Sequence, residues 1–160
     1  MQIVCNSTVL IALSRIEHLW ILEKLFGKLV IPTAVHTDVV VKGSGKPGAR
    51  DVAEAGWIHV EQVRDTSFVE ELSSILHRGE AETIALAKEI GADLIILDDN
   101  TARSAARAGG LNVVGTLGLL RHAKVKGLVT ELKPLLDSLK SAGFYMGDEY
   151  YEMLEDAGEI

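Results

Sequence analysis

The chain has 160 residues, 48% of them hydrophobic, so we expect one soluble globular domain with a substantial core. No apolar run is long enough to span a bilayer, and the N-terminus lacks the basic start of a signal peptide, so a membrane protein is not expected. The formal net charge of −7 argues against strong non-specific binding to long nucleic acids.

The negative charge is concentrated at the C-terminus. Residues 148–160 contain six acids and no Lys or Arg, whereas residues 1–147 have a net charge of −1 and can carry local basic patches. We therefore expect an α/β domain over 1–147, with 148–160 as an acidic helix or tail of the same domain. The single cysteine, Cys5, excludes an internal disulfide and indicates a reducing cytoplasm.

Apolar runs of strand type alternate with helical periods along the whole chain. This alternation is typical of βαβ units and predicts a three-layer α/β/α fold with a mostly parallel central sheet of about five strands. The predicted strands cover residues 2–5, 28–31, 58–60, 94–97 and 112–114. The predicted helices cover residues 8–14, 19–26, 33–41, 48–55, 67–76, 80–90, 101–108, 117–125 and 131–142.

The first predicted strand is followed by Asn6. In open α/β sheets, ligands bind outside the carboxyl ends of the strands, so a polar side chain at this place is a candidate for a functional site. Asn6 is equally well explained as an ordinary N-cap of the next helix. Its amide oxygen can ligate a hard cation, but it adds no negative charge.

The third predicted helix contains one acid, Asp38, next to an apolar stripe that includes Ala34 and Val39. Its spacing leaves a solvated position and a site position equally open. The segment that follows, residues 42–46, reads KGSGK. It lacks the third glycine of a dinucleotide fingerprint and the G-K-[ST] of a phosphate loop, so we interpret it as a flexible connector whose lysines could contact phosphate.

The predicted helix 80–90 begins with Glu80 and Glu82, and the helix macrodipole alone would explain both acids. Glu80 shares a largely apolar face with Ile84 and Ala87, whereas Glu82 lies about 200° away around the helix. We therefore place Glu82 on the solvent side and favour Glu80 as the inward-facing acid.

Asp98 and Asp99 follow the fourth predicted strand. One of them can cap the helix that begins there, but two adjacent like charges cost free energy unless a cation or base offsets them. Together with Glu80 they could form an oxygen-rich site for Mg²⁺ or Mn²⁺. The five histidines show no zinc-ligand spacing.

Five sequence pieces occur in an order that resembles the PIN-domain superfamily of nucleases. In chain order they are [D/N]-S-x-x-L-I-A-L at 6–13, I-P-x-x-V-x-x-[D/E]-V at 31–39, G-E-A-E-x-I-A-L-A at 79–87, L-D-D at 97–99 and V-G-T-L-G-L-L-x-x-A-K at 114–124. Each piece is weak by itself, but the series covers nearly the whole chain. The chain is most similar to uncharacterised prokaryotic PIN-like proteins and to toxin-type ribonucleases.

This resemblance implies a ribonuclease that hydrolyses single-stranded RNA with Mg²⁺ or Mn²⁺. The four acids that such proteins place around the metal fall on Asn6, Asp38, Glu80 and Asp98, of which the three acids are the implied catalytic residues. Asp99 is expected to assist through a bound water, and the hydroxyls of Ser7 and Thr116 to line the site. Because Asn6 replaces the usual Asp, one formal charge is missing and we expect reduced turnover.

Basic residues near the predicted site-side loops and helix starts are the candidates for phosphate contacts, although surface solubility explains each of them as well. They are Lys42, Lys46, Arg78, Arg103 and Arg107. The resemblance further suggests a homodimer and a small antitoxin protein as partners.

Two other functions stay open at this point. The chain could be a PIN fold without catalysis that binds RNA or protein, which Asn6 favours, or a Rossmann-like small-molecule protein, which the missing phosphate-binding glycine motif disfavours. The acidic tail could pack on the body, pair with a second subunit or shield a basic groove, and we expect the first of these.

Overall fold

A five-stranded sheet, in which every neighbouring pair of strands is parallel, forms the centre of the protein. The computed structural model describes all 160 residues. The strands are β1 (Ile3–Cys5), β2 (Leu29–Pro32), β3 (Ile58–Glu61), β4 (Leu94–Ile96) and β5 (Val113–Val114), in the spatial order β3-β2-β1-β4-β5. The predicted α/β fold with a parallel sheet is confirmed.

The helices lie between and after the strands. They are α1 (Ser7–Arg15), α2 (Trp20–Phe26), α3 (Thr33–His36), α4 (Ala49–Glu54), α5 (Thr66–Leu72), α6 (Arg78–Glu89), α7 (Asn100–Ala108), α8 (Thr116–Val125), α9 (Lys133–Ser141) and α10 (Glu149–Asp156). None of these helices combines the length and apolar character needed to cross a membrane.

The sheet is covered on both faces because successive strand residues point to opposite sides. Ile3 and Cys5 of β1 belong to the larger buried cluster, which α1, α2, α8, α9 and α10 complete. Val4, between them, belongs to the second cluster, which α5, α6 and α7 complete. The fold therefore has two helical layers, with the sheet between them.

The single helix predicted over residues 33–41 is two elements in the structure. The four-residue helix α3 passes directly into a π-helical turn, Thr37–Val41. Hydrophobic periodicity does not distinguish the wider π turn from an α-helix over so few residues, and π turns often lie at functional sites.

The acidic C-terminal segment forms α10 and packs on the body of the protein. Tyr150, Met153 and Leu154 are buried in the larger cluster. Glu159, just beyond the helix, accepts hydrogen bonds from Lys124 Nζ and from the backbone amides of Leu132 and Lys133.

The order of the strands reverses its direction between β1 and β4. From β1 the chain adds β2 and then β3 on one side, and afterwards β4 and β5 on the other. The crevice at such a switch point, beyond the carboxyl ends of the strands, is where open α/β sheets bind their ligands. In this protein Asn6 follows β1 and Asp98 lies just beyond β4.

Candidate active site at the carboxyl edge of the sheet

Four of the predicted positions lie at this carboxyl edge, each on a different element. Asn6 directly follows β1, Asp38 lies in the π-helical turn after β2, Glu80 is in the first turn of α6, and Asp98 follows β4. Asn6 is 1% exposed and Glu80 is 8% exposed, whereas the Asp38 side chain is 39% exposed. The edge thus combines two buried polar side chains with a more accessible carboxylate.

Asn6 occupies the N-cap position of α1, but its side chain makes no capping hydrogen bond. Its Oδ1 instead lies 3.4 Å from Thr83 Oγ1. That hydroxyl has one hydrogen, and its shorter contact, 2.6 Å to the carbonyl oxygen of Gly79, is the stronger one. The Asn6 amide oxygen is therefore only weakly engaged, so an ordinary cap does not explain this residue.

Gly79 leaves a space around which three of the predicted residues meet. A Cβ atom at this position would lie 2.8 Å from Asp38 Oδ2 and 3.8 Å from both Asn6 Oδ1 and Ser7 Oγ. Since real Cβ atoms essentially never approach another heavy atom within 3.0 Å, a side chain here would displace Asp38. The glycine therefore keeps open a small space bordered by carboxylate, amide and hydroxyl oxygens.

Asp98 is held in place by the first residue of α8. Its Oδ1 accepts from the backbone amide of Thr116 at 2.7 Å, and its Oδ2 accepts from Thr116 Oγ1 at 2.6 Å. Both carboxylate oxygens are therefore oriented, and the role of Thr116 is to fix this acid. Burial, reinforced by the charge of Asp98, raises the pKa of the Cys5 thiol well above its usual value, so Cys5 is an inert core residue.

Glu80 and Asp99 both accept hydrogen bonds from the starts of helices. Glu80 Oε1 accepts from the backbone amide of His77, and Asp99 Oδ2 accepts from that of Ala102 as the N-cap of α7. Burial raises the pKa of Glu80, the His77 amide lowers it, and the charge of Asp99 raises it again, so the net shift is upward. Glu80 is thus a desolvated acid whose charged form is disfavoured by burial more than His77 stabilises it.

The prediction that Glu82 faces solvent is wrong. Glu82 is 8% exposed, its Oε1 accepts from the backbone amide of Ala34, and its Oε2 accepts from Arg78 Nε. Helix α6 packs against α3 as well as against the sheet, so almost its whole circumference is covered. Glu82 is therefore a structural acid that joins α6 to the start of α3.

Two cavities meet at Asp98. The first, of about 640 Å³, is lined by Glu80, Asp98 and Asp99 on one side and by helix α1 and the segment after α9 on the other. The second, of about 520 Å³, extends from Asp98 along α8 toward α10. Phe144 and Tyr145 line both cavities. The two cavities therefore share a boundary formed by Asp98, Phe144 and Tyr145, and together they are called the groove.

The comparison with protein families agrees with this geometry. A family model described as a PIN domain matches residues 2–159, nearly the whole chain. The chain belongs to the PIN-domain family. No curated protein matches it. The resemblance seen in the sequence is thus confirmed, and with it a nuclease-type fold.

PIN domains generally use divalent metal ions, and the polar side chains of this PIN domain suit such an ion chemically. The carboxylates of Asp38, Glu80 and Asp98 and the amide oxygen of Asn6 are hard oxygen ligands, and the space at Gly79 lies beside Asp38 and Asn6. No three His, Cys, Asp or Glu side chains form a cluster with metal-ligand spacing, and the carboxylates of Glu80, Asp98 and Asp99 are turned toward protein donors. The residues fit the ion, but their carboxylates must rotate to reach it.

The basic residues predicted to contact phosphate are distributed unevenly around this edge. Lys42 Nζ lies 4.0 Å from Asp38 Oδ1, and Arg103 lines the second cavity. Arg78 is paired with Glu82, whereas Arg107 is in the last turn of α7, whose other end borders the site. Lys46 is exposed in the segment that leads to α4.

Several groove residues were missed by sequence reasoning because they come from distant segments. Arg15 and His77 line the first cavity, Arg121 lines the second, and Phe144 and Tyr145 line both. No spacing rule connects these positions to the acids. The one available signal was the aromatic pair between Gly143 and Gly147, in a segment to which no helix or strand had been assigned.

Proposed function

We propose that this PIN domain is a metal-dependent ribonuclease that cleaves single-stranded RNA, with turnover reduced by Asn6. The observation that supports the proposal is that Asn6, Asp38, Glu80 and Asp98 each lie at the carboxyl edge of a sheet whose strand order reverses there, the usual ligand position in this class of sheet. We further propose a cytoplasmic protein whose partners include a second copy of the chain or a small antitoxin.

In this proposal Asp38, Glu80 and Asp98 hold Mg²⁺ or Mn²⁺, with Asp99 acting through water. Such an ion, when bound, activates a water molecule for in-line attack and stabilises the leaving oxygen. Thr116 holds the Asp98 carboxylate, which would rotate to reach the ion, and Ser7 adds a hydroxyl oxygen near Asp38.

The neutral side chain of Asn6 weakens the site electrostatically. A buried carboxylate at this position would attract the ion at short range in a medium of lower dielectric than water, whereas the amide contributes only a dipole. Lys42 and Arg103, the two predicted phosphate contacts nearest the acids, are positioned to hold the RNA backbone.

The decisive experiment compares RNA cleavage by the wild-type protein and Asn6→Asp in Mg²⁺ and in Mn²⁺. We expect slow cleavage by the wild type and at least about a 10-fold faster rate for Asn6→Asp, because the added charge tightens metal binding and corresponds to about 1.4 kcal/mol or more. Asn112→Asp is the matched control: it adds the same charge just before β5, at the opposite edge of the sheet, and should leave the rate unchanged.

A second candidate function is supported by Asn6 and by the acids that are turned toward protein donors. This is a catalytically inactive PIN fold that binds RNA or protein. Calorimetric titration with Mn²⁺ separates the two candidates. Absence of binding at millimolar Mn²⁺, together with intact RNA in the presence of both the wild type and Asn6→Asp, would reject the ribonuclease in favour of the binding module.

A further inference from the structure

Tyr145 is an aromatic ring held outside the protein at the proposed active site. It is 87% exposed, more than any other large hydrophobic residue that remains exposed. The other two tyrosines are accounted for by their own contacts: Tyr150 is buried and donates to Asp137, and Tyr151 packs edge-on against Tyr150 with ring centroids 5.0 Å apart. The exposure of Tyr145 therefore has no explanation within the fold.

The segment that carries Tyr145 is anchored on both sides of the ring. Arg15 Nη1 donates to the carbonyl oxygen of Ala142, and the backbone amide of Phe144 donates to Leu139 O at 2.9 Å. The side chains of Phe144 and Met146 pack against the larger core cluster. With both neighbours turned inward, the backbone directs Tyr145 outward, so the ring is presented from a fixed support.

The position of the ring relative to the acids suggests what it contacts. Tyr145 and Asp98 line both cavities, so a ligand that occupies both cavities would lie beside the ring and beside this acid. Arg15 borders the first cavity, and Arg103 and Arg121 border the second. Guanidinium groups on both sides of an exposed aromatic ring are the elements with which proteins bind a single strand, since phosphates contact the cations and a base stacks on the ring.

We infer that Tyr145 is a stacking platform for an unpaired base of the RNA and positions the neighbouring phosphodiester beside Asp98. The inference rests on the proposed function, because it describes how that site holds its substrate. Stacking on an aromatic ring accepts any base and requires that the base be unpaired, so the platform also selects single strands.

The test measures the affinity of a fluorescein-labelled 12-nucleotide oligoadenylate by anisotropy in EDTA, so that the RNA stays intact. Tyr145→Ala should weaken binding by about 10-fold or more, within the range known for one stacked base. Tyr145→Phe and Tyr145→Trp should retain the wild-type affinity, because each keeps an aromatic face. Tyr151→Ala is the matched control: it removes an exposed tyrosine that lines neither cavity, and it should not weaken binding.

A second arm uses an oligonucleotide of the same length whose central nucleotides are abasic. The wild type and Tyr145→Ala should bind this abasic strand with equal affinity, because the phosphates remain and the base that would stack on the ring is gone. Equal affinity of Tyr145→Ala and the wild type for oligoadenylate, or failure of Tyr145→Phe to retain binding, would overturn the inference. So would the absence of any RNA binding by the wild type.

The outcomes for Tyr145 and for the proposed function are separable. Binding that depends on Tyr145, without cleavage in Mn²⁺, keeps the platform and contradicts the ribonuclease. Cleavage of RNA, together with wild-type RNA affinity in Tyr145→Ala, keeps the ribonuclease and contradicts the platform. If Tyr145 instead contacts a second copy of the chain, Tyr145→Ala should lose self-association and keep its RNA affinity. That result would also overturn the inference.

Discussion

The residue that shapes the candidate site most directly has no side chain. Gly79 lies in the first turn of α6, and its missing Cβ leaves room for Asp38 Oδ2. Its backbone has no positive φ angle, so an alanine would fit the helical conformation and conflict only with the neighbouring carboxylate. Shape at Gly79 and charge at Asn6 are therefore two separate determinants of the proposed metal site.

Gly79→Ala should separate metal binding from stability. The added methyl group displaces the flexible Asp38 side chain, so Mn²⁺ affinity measured by calorimetry should fall about 10-fold, in the range seen when groups supporting a metal site are disturbed. The free energy of unfolding, measured in urea, should stay equal or rise by up to about 1 kcal/mol because alanine favours the helix.

Gly56→Ala is the control for this change, since an alanine Cβ at Gly56 meets no atom within 4 Å. Its Mn²⁺ affinity should equal that of the wild type. An unchanged affinity in Gly79→Ala would contradict the assignment of Asp38 to the site.

At this scale the sequence indicated candidate site residues, but it did not predict their contacts. Asn6, Glu80 and Asp98 could be proposed because they lie at strand ends and a helix start, which local patterns indicate, whereas Asp38 was proposed from the family resemblance. The burial of Glu82 could not be predicted, because it depends on α3 packing against α6 from a distant part of the chain. Helical periodicity identifies one buried face, and α6 has several.

At the scale of elements, α10 is held against the body by Glu159, which lies just beyond its C-terminal end. Burial alone would raise the pKa of Glu159. The hydrogen bonds from Lys124 and from the amides of Leu132 and Lys133 outweigh that effect and lower the pKa from 4.5 to about 2. Glu159 thereby joins α8, the start of α9 and the C-terminal segment through one carboxylate.

Glu159→Gln should lower the free energy of unfolding by about 1–2 kcal/mol at neutral pH, the usual effect of losing charge-assisted hydrogen bonds. The native pKa lies below the ordinary one, so this stabilisation is complete above pH 4.5 and disappears as the pH falls toward 2. Urea unfolding at a series of pH values should therefore show the two proteins converging in acid.

Glu155→Gln removes the same charge from an exposed position of α10 and should show no such convergence. A difference between Glu159→Gln and the wild type that stays constant from pH 7 to pH 3 would contradict the proposed role of the Glu159 carboxylate.

Elements that produce a local pattern in the sequence could be predicted, and the others could not. Each strand of the sheet was predicted within a residue or two, because a short apolar run covered on both faces is a local signal. The π-helical turn at Thr37–Val41 was not predicted, although it carries Asp38. Its wider turn contains the same valines as an α-helix would, so composition gave no indication of it.

For the whole molecule, the order of the strands brings together residues that are far apart in the chain. Asn6 and Asp98 become neighbours because β1 and β4 pair in parallel with Ile3 opposite Leu94 and Cys5 opposite Ile96. The groove over this edge then adds Arg15, Tyr145 and Arg121 from helices and connections that only the complete fold brings close. For this reason the sequence indicated the acids and missed the groove around them.

We propose that these separate residues form one metal site. The most direct measurement is anomalous diffraction from a crystal soaked in millimolar Mn²⁺. We expect an anomalous peak among Asn6, Asp38, Glu80 and Asp98, with the Glu80 carboxylate turned away from the His77 amide and toward the ion. A crystal that shows no peak there, or a peak only at acids elsewhere on the surface, would contradict it.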